Sequence, residues 1–467
     1  MTDWLGRTFD LRLGPPGHGG FCVGRHEGRV VFVRHGLPGE LVQATVTEDR
    51  GGSFCRADAV RILEPSPDRV PATCPVSGPG GAGCCDFSHA TPAAQRGLKA
   101  AVVAEQLRRL AGIDREVTVE PIAGYPDDAT GGWRTRIRLP VDAEGRAGMH
   151  RYRSTEVIAD LRCPQPVPGA MAGIADRVWT PGADLVVAVD GDGVRHLVEL
   201  PPAEQATARR GRRHGGGPRG RRSDGAGGGR GHGPEGGGPL GASSQWRRGA
   251  EDPDEARRAA VARRAATHAA RDEWVIDGSG RAVEYVAGRR WEIAATGFWQ
   301  AHRLAAQCYS DVVSEWSGLG DGDLAWDLYS GAGVFAARLA DRVGARGSVL
   351  AVESTRSAVA DGQAALRDLP WVELRAGRVE RWVAEHEGGA TPRAVVLDPP
   401  RAGAGKDVVA AVAMVNPTRI VHIGCDPAAF ARDLGLYQSH GYRLTGLRAF
   451  DAFPATHHVE CLALLER

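Results

Sequence analysis

The sequence has no long apolar run and no excess of charge of one sign. No stretch reaches the roughly eighteen apolar residues that a membrane-spanning helix needs, and the first residues lack the basic segment and apolar core of a secretory signal. We therefore expect a soluble, cytoplasmic protein. The 58 Lys and Arg residues balance 57 Asp and Glu residues, so the net charge is +1. Any nucleic-acid binding must then come from local basic patches.

The cysteines do not fit a disulfide framework. There are nine of them in 467 residues, and an odd number in a long chain without a secretory signal favours metal binding or catalysis for some of them. A chain of this length exceeds one ordinary domain, so we expect about two to four.

Five short apolar segments separated by glycine turns occupy residues 1–65. This spacing predicts a small β-barrel. The glycines at 19–20, the GLPGE turn at 36–40 and the basic residues beside them resemble the TRAM domain, an RNA-binding module with an oligonucleotide-binding-like barrel. A barrel that serves only as a spacer is the alternative.

A cysteine-rich loop at 74–86 opens the next region, which we predict to be a β-rich domain at 66–297. Glycines in such a loop let backbone N–H groups approach thiolate ligands, which suits an iron–sulfur cluster. An amphipathic helix is predicted near 95–113. Arginines alternate along a predicted strand at 134–138, which predicts either a row of phosphate contacts or a solvated outer face.

A segment rich in Gly and Arg interrupts this region at 203–253. Its composition cannot bury enough apolar area to offset chain entropy, so we expect a disordered linker. Its arginines suit non-specific RNA binding. A passive linker is the alternative.

The last third, 298–467, alternates strand-like and helix-like segments, which predicts a doubly wound parallel α/β sheet. The segment DLYSGAG at 327–333 leads from a strand into a glycine turn that opens a helix. Glu353 ends the next strand, where nucleotide-type sites bind a ribose diol. Gly331 and Gly333 also fit a dinucleotide fingerprint, so the turn alone leaves a nucleotide-dependent oxidoreductase open.

Two further segments, VVLDPPR at 395–401 and VHIGCDP at 421–427, are apolar runs that end in turn-forming residues. Such runs deliver functional groups to the carboxyl edge of a parallel sheet. Cys425 is expected there, with Asp426 capping and Pro427 opening a helix whose amino terminus favours a thiolate. A buried structural cysteine is the alternative.

Together these motifs resemble the TRAM-containing RNA uracil-C5 methyltransferases, a group that includes 23S ribosomal RNA enzymes. The matching segments are FWQ (298–300), DLYSGAG (327–333), Glu353, DPPR (398–401), CDP (425–427) and FPATHHVE (453–460). The implied fold class is α/β, with a class I, Rossmann-like S-adenosylmethionine methyltransferase domain, an N-terminal TRAM barrel and a small β-rich central domain. The DPP motif is characteristic of such enzymes acting on planar bases or amides, and it argues against hydride transfer.

The resemblance implies methylation of uracil C5 in RNA with S-adenosylmethionine. Cys425 would add to C6 and Glu460 would remove the C5 proton. The cofactor and base pocket would be lined by Gln300, Tyr329, Gly331, Gly333, Glu353 and Asp398. The expected partner is RNA, ribosomal in preference to transfer RNA, with no membrane association and a monomeric protein. A catalytically inactive RNA-binding protein is the alternative, against which the presence of both Cys425 and Glu460 argues.

The resemblance also implies a [4Fe-4S] cluster. The family loop reads Cys-Gly-Gly-Cys, whereas this chain has Ala82 at the first of these positions. The expected ligands are therefore Cys74, Cys85 and Cys163, with Cys84 as the fourth in a shifted loop.

Overall fold

The computed structural model describes residues 3–202, 272–386 and 388–467. The predicted Gly/Arg linker at 203–253 lies outside these residues. The described residues up to Glu199 and from Trp274 onward belong to one structural unit. Among the helices described, none is long and apolar enough to cross a membrane.

The amino-terminal sheet confirms the predicted strands. It has the order β1-β5-β6-β4-β3-β2 and is antiparallel except for the pair β4–β6. Its strands are β1 (Thr8–Arg12), β2 (Pro16–Gly17), β3 (Phe21–His26), β4 (Arg29–Arg34), β5 (Leu41–Asp49) and β6 (Phe54–Glu64). Alternate residues such as Val31, Val33 and Cys55 are buried in the barrel core, because successive strand side chains point to opposite faces.

The predicted helix at 95–113 begins earlier, because the Thr91 side chain accepts a hydrogen bond from Ala94 N–H at 3.3 Å and Pro92 occupies its first turn. This helix, α1 (Pro92–Gln106), continues into a π-helical turn at Leu107–Ala111.

The central region contains short strands and hairpins. They are β7 (Val119–Pro121), β8 (Arg136–Pro140), β9 (Met149–His150), β10 (Val157–Ile158), β11 (Asp184–Val189), β12 (Arg195–Leu200), β13 (Trp274–Asp277), β14 (Arg281–Val286) and β15 (Arg289–Ala294). One sheet has the order β13-β12-β11-β8, and β9–β10 and β14–β15 form separate hairpins.

Neither interpretation of the alternating arginines holds for Arg134 and Arg136, whereas Arg138 is exposed, as the solvated outer face predicts. Arg136 is 9% exposed and donates to Glu284 at 3.1 Å and to the Gly297 carbonyl at 3.0 Å. Arg134 is partly buried and donates to Gln165 at 3.0 Å. These two side chains hold loops of the region together because hairpin β14–β15 and neighbouring loops cover the beginning of the strand.

The carboxy-terminal sheet confirms the predicted α/β architecture. Its strands beyond β7 are β16 (Leu324–Leu328), β17 (Ser348–Glu353), β18 (Val372–Ala376), β19 (Ala394–Leu397), β20 (Arg419–Gly424), β21 (Arg443–Asp451) and β22 (Glu460–Glu466). The order is β18-β17-β16-β19-β20-β22-β21-β7. The sheet is parallel from β18 to β20, whereas β22 runs antiparallel to β20 and β21.

Helices cover this sheet. They are α2 (Ala305–Trp316), α3 (Val334–Val343), α4 (Arg356–Ala365), α5 (Val379–Glu385), α6 (Gly405–Val415) and α7 (Pro427–Ser439). Val421 and Ile423 of β20 pack into one apolar core and Ile420 into another, so both faces of the sheet are buried, as is usual for parallel sheets. One edge of the sheet holds the carboxyl ends of β16, β17, β19 and β20, because these strands are parallel.

Candidate active site

Cys425 directly follows β20, and α7 begins two residues later. The Asp426 carboxylate accepts hydrogen bonds from the N–H groups of Ala428 at 3.1 Å and Ala429 at 2.9 Å. The predicted capped helix start is thus confirmed. This turn places the thiol at the carboxyl edge of the sheet.

Glu460 is the first residue of β22, beside β20. Gly424 pairs with Cys461 in the antiparallel register, so Cys425 and Glu460 occupy the next facing positions. Glu460 is 4% exposed. The structure therefore brings the predicted nucleophile and the predicted base together from separate segments of the chain.

The prediction that the helix terminus favours a Cys425 thiolate is wrong in this structure. Burial raises the pKa of Cys425 to about 12, and the Glu460 carboxyl acts in the same direction. Arg401 opposes this shift. Burial also raises the pKa of Glu460 well above its ordinary value, with Asp398 adding to the shift and Arg401 again opposing it. Desolvation therefore opposes ionisation of both groups, and a Cys425 thiol with this pKa is protonated at neutral pH.

The predicted glycine turn follows β16 and leads into α3. Tyr329 has a φ of 63°, a strained conformation for a bulky residue. Gly333, with a φ of 75°, precedes α3, and a Cβ there would lie 2.9 Å from Leu366. A Cβ on Gly331 would meet nothing within 4 Å in the part of the chain that the structure describes. The turn is thus packed against the protein at Gly333 and open at Gly331.

Glu353 ties the end of β17 to this turn. One of its carboxylate oxygens accepts from Gly331 N–H at 3.2 Å and the other from Thr355 N–H at 2.7 Å. The carboxylate therefore lies beside the open side of the glycine turn, at the second strand's end, where the sequence predicts a ribose contact.

Asp398 follows β19 at the same edge. Burial raises its pKa to about 7. Gln300, which precedes α2, has its Nε2 atom 3.5 Å from Asp398 Oδ2, a long hydrogen bond. Gln300 thereby joins the other predicted pocket residues, although it comes from outside the sheet.

Sequence reasoning missed a buried ion cluster next to this edge. Arg34 of the barrel donates to Asp86 at 2.6 Å, and His457 Nδ1 lies 2.6 Å from the other Asp86 oxygen. Nearby, His18 Nε2 lies 3.1 Å from the Asp426 carboxylate. The one sequence feature that pointed to this cluster was the position of His457 in the FPATHHVE segment. These contacts hold the barrel against the residues that flank Cys425 and Glu460.

The four predicted cluster ligands come together in space. The Cys85 thiol lies within hydrogen-bonding reach of those of Cys74, Cys84 and Cys163, and these contacts raise its pKa. The same contact lowers the pKa of Cys74 to about 7. Gln165 Nε2 donates to the Cys85 sulfur at 3.1 Å. Within the described ranges, however, no group of three or more His, Cys, Asp or Glu side chains is arranged to hold a metal ion.

Comparison with known proteins identifies the family. Residues 391–467 match the family tRNA (Uracil-5-)-methyltransferase, and residues 5–60 match the TRAM domain. The chain is 40% identical to an uncharacterized RNA methyltransferase of Streptomyces avermitilis, covering 99% of both proteins. It is 30% identical to the 23S rRNA (uracil(1939)-C(5))-methyltransferase RlmD of Alkalilimnicola ehrlichii, covering 98% of this chain and 96% of that protein. The chain belongs to the TRAM-containing RNA uracil-C5 methyltransferases.

A solved structure shares the fold of this methyltransferase. The tRNA (uracil-54, C5)-methyltransferase of Pyrococcus abyssi, bound to S-adenosyl-L-homocysteine, superposes with a TM-score of 0.62 over 97% of this chain and 100% of that chain, at 19% identity. This likeness shows the fold. The family match and the full-length relatives make the chain an S-adenosylmethionine-dependent RNA methyltransferase, which excludes the oxidoreductase alternative.

Proposed function

We propose that this enzyme forms 5-methyluridine in 23S ribosomal RNA through a covalent bond between Cys425 and uracil C6. The observation that carries the proposal is the facing placement of Cys425 and Glu460 at the carboxyl edge of the sheet. Uracil C5 is a poor nucleophile until a thiolate adds to C6. A thiol and a carboxyl group held side by side supply the nucleophile and the base that this route needs.

The residues at this edge fit the cofactor. The open side of Gly331 would leave room for it, and Glu353, which accepts from Gly331 N–H, would hold the ribose hydroxyls. When bound, S-adenosylmethionine supplies the electrophilic methyl group. Tyr329 and Gly333 shape the glycine turn, and Asp398 and Gln300, in contact with each other at the same edge, would line the pocket.

The chain's own groups perform the other steps. Cys425 loses its proton to solvent and the thiolate adds to C6, so that the electron pair of the C5–C6 double bond forms an enolate and makes C5 nucleophilic. After C5 is methylated, Glu460 in its ionised form takes the C5 proton, and the C6–sulfur bond breaks to release the Cys425 thiolate. Arg401 opposes the raised pKa of both groups, so it favours the charged forms that react. The uridine must leave its stack to reach the thiol.

The choice of 23S ribosomal RNA is supported by the full-length similarity to RlmD and by the TRAM domain. Transfer RNA is the second candidate, because the Pyrococcus abyssi enzyme that shares this fold acts on tRNA. At 19% identity that likeness concerns the fold alone, so ribosomal RNA is preferred.

We also propose that the four converging thiols are ligands of an iron–sulfur cluster. Four thiols around Cys85 match the donor set of such clusters. In the described residues no three of them are arranged to hold a metal ion, so cluster binding would require them to rearrange.

A single assay tests the substrate. Purified enzyme is incubated with methyl-labelled S-adenosylmethionine and either an unmodified 23S ribosomal RNA transcript or an unmodified tRNA transcript, and labelled nucleosides are mapped. We expect 5-methyluridine at one site in the ribosomal RNA only. Label in tRNA alone would establish the second candidate, and label in neither RNA would overturn the proposal.

A further inference from the structure

Three phenylalanines form a row on the outer face of the amino-terminal barrel. Phe21, Phe32 and Phe54 lie on the neighbouring strands β3, β4 and β6. Adjacent residues such as Val31 and Cys55 are buried in the barrel core, and the phenylalanines are not part of that core. Because strand side chains alternate between faces, the row lies on the side of the sheet away from the core. The apolar cluster inside the barrel is thus formed without these three rings.

The rings are in contact with one another. The centroids of Phe21 and Phe32 are 6.1 Å apart and those of Phe32 and Phe54 are 5.5 Å apart, both with edge-to-face geometry. Exposure increases along the row, from 7% at Phe21 to 43% at Phe54. The row therefore runs from a covered end to an open end and presents ring surface to solvent at the open end.

Arginines accompany the rings. The Arg56 guanidinium lies 5.8 Å from the Phe21 ring centroid and 5.4 Å from that of Phe54. The Glu48 carboxylate pairs with Arg56 at 2.9 Å, Arg50 at 3.4 Å and Arg153 at 2.6 Å. Three cations share one anion, so this patch has positive charge to spare for phosphate groups.

The covered end of the row adjoins the active site. Gly20, the residue before Phe21, is so close to the catalytic region that a Cβ there would lie 3.1 Å from Asp86 and 3.4 Å from His457. His18, two residues earlier, contacts Asp426, the neighbour of Cys425. The row therefore leads from the edge of the active site outward across the barrel.

We propose that Phe32 and Phe54, backed by the buried ring of Phe21, form a stacking surface for unpaired bases of the RNA substrate, with Arg50, Arg56 and Arg153 holding the phosphates. Its placement beside the target rests on the proposed function, in which a uridine leaves its stack to reach Cys425. Nucleotides next to a flipped base lose stacking partners. Aromatic rings interleaved with arginine replace such partners for any base, because every base has a π face.

The test compares single-stranded with duplex RNA. A fluorescein-labelled RNA of about 12 nucleotides and mixed sequence, alone or annealed to its complement, is titrated with the full-length enzyme. The double variant Phe32→Leu/Phe54→Leu keeps apolar bulk but removes two rings. We expect wild type to prefer the single strand, and the double variant to lose single-strand affinity by about fivefold or more. Duplex binding and S-adenosylmethionine binding should stay unchanged.

Two further variants serve as controls. Phe54→Trp retains a ring and should bind single-stranded RNA like wild type. Phe54→Leu alone changes an exposed residue, so it should fold and should lose part of the affinity even if the double variant does not fold. The proposal would be overturned if Phe54→Leu bound single-stranded RNA like wild type. It would also be overturned if the variants lost affinity equally for single-stranded and duplex RNA.

Methylation assays separate this proposal from the proposed function. With a methylatable RNA, the double variant should show a raised KM for RNA and an unchanged kcat. An enzyme that methylates neither ribosomal nor transfer RNA while its double variant loses single-strand binding selectively would retain the stacking surface and refute the uridine reaction. Methylation by the double variant with the wild-type KM for RNA would refute the stacking surface and retain the uridine reaction.

Discussion

Cys425 directly follows β20 and Glu460 begins β22, so each is the chain neighbour of one member of the antiparallel pair Gly424–Cys461. The thiol is fixed by the turn into α7 and the carboxyl by the start of β22. Burial raises the pKa of both groups. Desolvation therefore works against the charged form of both groups, and Arg401, which opposes both shifts, favours that form.

Replacing the nucleophile should abolish turnover and spare cofactor binding. In Cys425→Ala we expect methylation to fall by about 10⁴-fold or more, because no thiol is available to add to C6. S-adenosylmethionine affinity, measured by calorimetry, should stay near wild type, since the glycine turn and Glu353 are untouched. Cys308→Ala, at a partly buried cysteine on α2, is the matched control and should remain active. Full activity of Cys425→Ala would refute the covalent route.

Replacing the base should trap the adduct. Glu460→Gln has nearly the same shape but cannot accept the C5 proton, so we expect methyl transfer followed by slow release of Cys425. A protein–RNA species that survives denaturing electrophoresis, and is missing from Cys425→Ala, is the expected result. Normal turnover without such a species would remove Glu460 from the role of base.

The raised pKa of Cys425 predicts a steep pH dependence of its alkylation. With a pKa of about 12, the thiol is protonated at neutral pH, and its thiolate fraction rises about tenfold per pH unit from pH 7 to 10. Iodoacetamide labelling of the Cys425 peptide, followed by mass spectrometry, should therefore rise through this range without a plateau. A plateau near pH 8 would instead indicate the thiolate favoured by the helix terminus.

Breaking the buried ion cluster should destabilise the protein. Asp86→Asn leaves the Arg34 guanidinium, 4% exposed, without its counter-ion, which costs about 3–5 kcal/mol. We expect the apparent Tm to fall by roughly 6 °C or more. Glu385→Gln removes the exposed pair with Arg381 and should cost about 0.5 kcal/mol or less.

The same ion cluster makes the free energy of unfolding depend on pH. Burial opposes ionisation of Asp86, but the hydrogen bond from His457 and the charge of Arg34 outweigh burial. The pKa of Asp86 is therefore lowered. A lowered carboxyl pKa stabilises the fold above the ordinary carboxyl range, and this contribution is lost as pH falls through the folded value. The Tm difference between wild type and Asp86→Asn should therefore shrink in acid. A constant difference across that range would contradict the ionised cluster.

Iron content tests whether the thiols of Cys74, Cys84, Cys85 and Cys163 bind an iron–sulfur cluster. Protein purified anaerobically should contain iron and acid-labile sulfide, and Cys163→Ser should lose both. Cys55 lies in the barrel core and is not one of these four cysteines, so Cys55→Ser should retain both iron and sulfide. An active, iron-free wild-type protein would show that the loop serves the fold without a cluster.

Local features of the active site could be predicted from the sequence because they depend on neighbouring residues. Alternating apolar residues predicted the barrel strands, and the apolar runs before Asp398 and Cys425 predicted buried parallel strands. Asp426 and Pro427 predicted the start of α7, since a cap needs only its own next turn. Glycines 331 and 333 predicted the turn beside Glu353 for the same reason.

Only the tertiary structure decided how distant segments meet. The facing of Cys425 with Glu460 depends on the strand order that places β22 beside β20. Arg34, Asp86 and His457 come from three distant segments, and Arg136 is buried because a later hairpin covers it. The pKa of Cys425 followed burial and not the helix terminus. Desolvation and charge act through space, and the sequence does not state which groups surround a side chain.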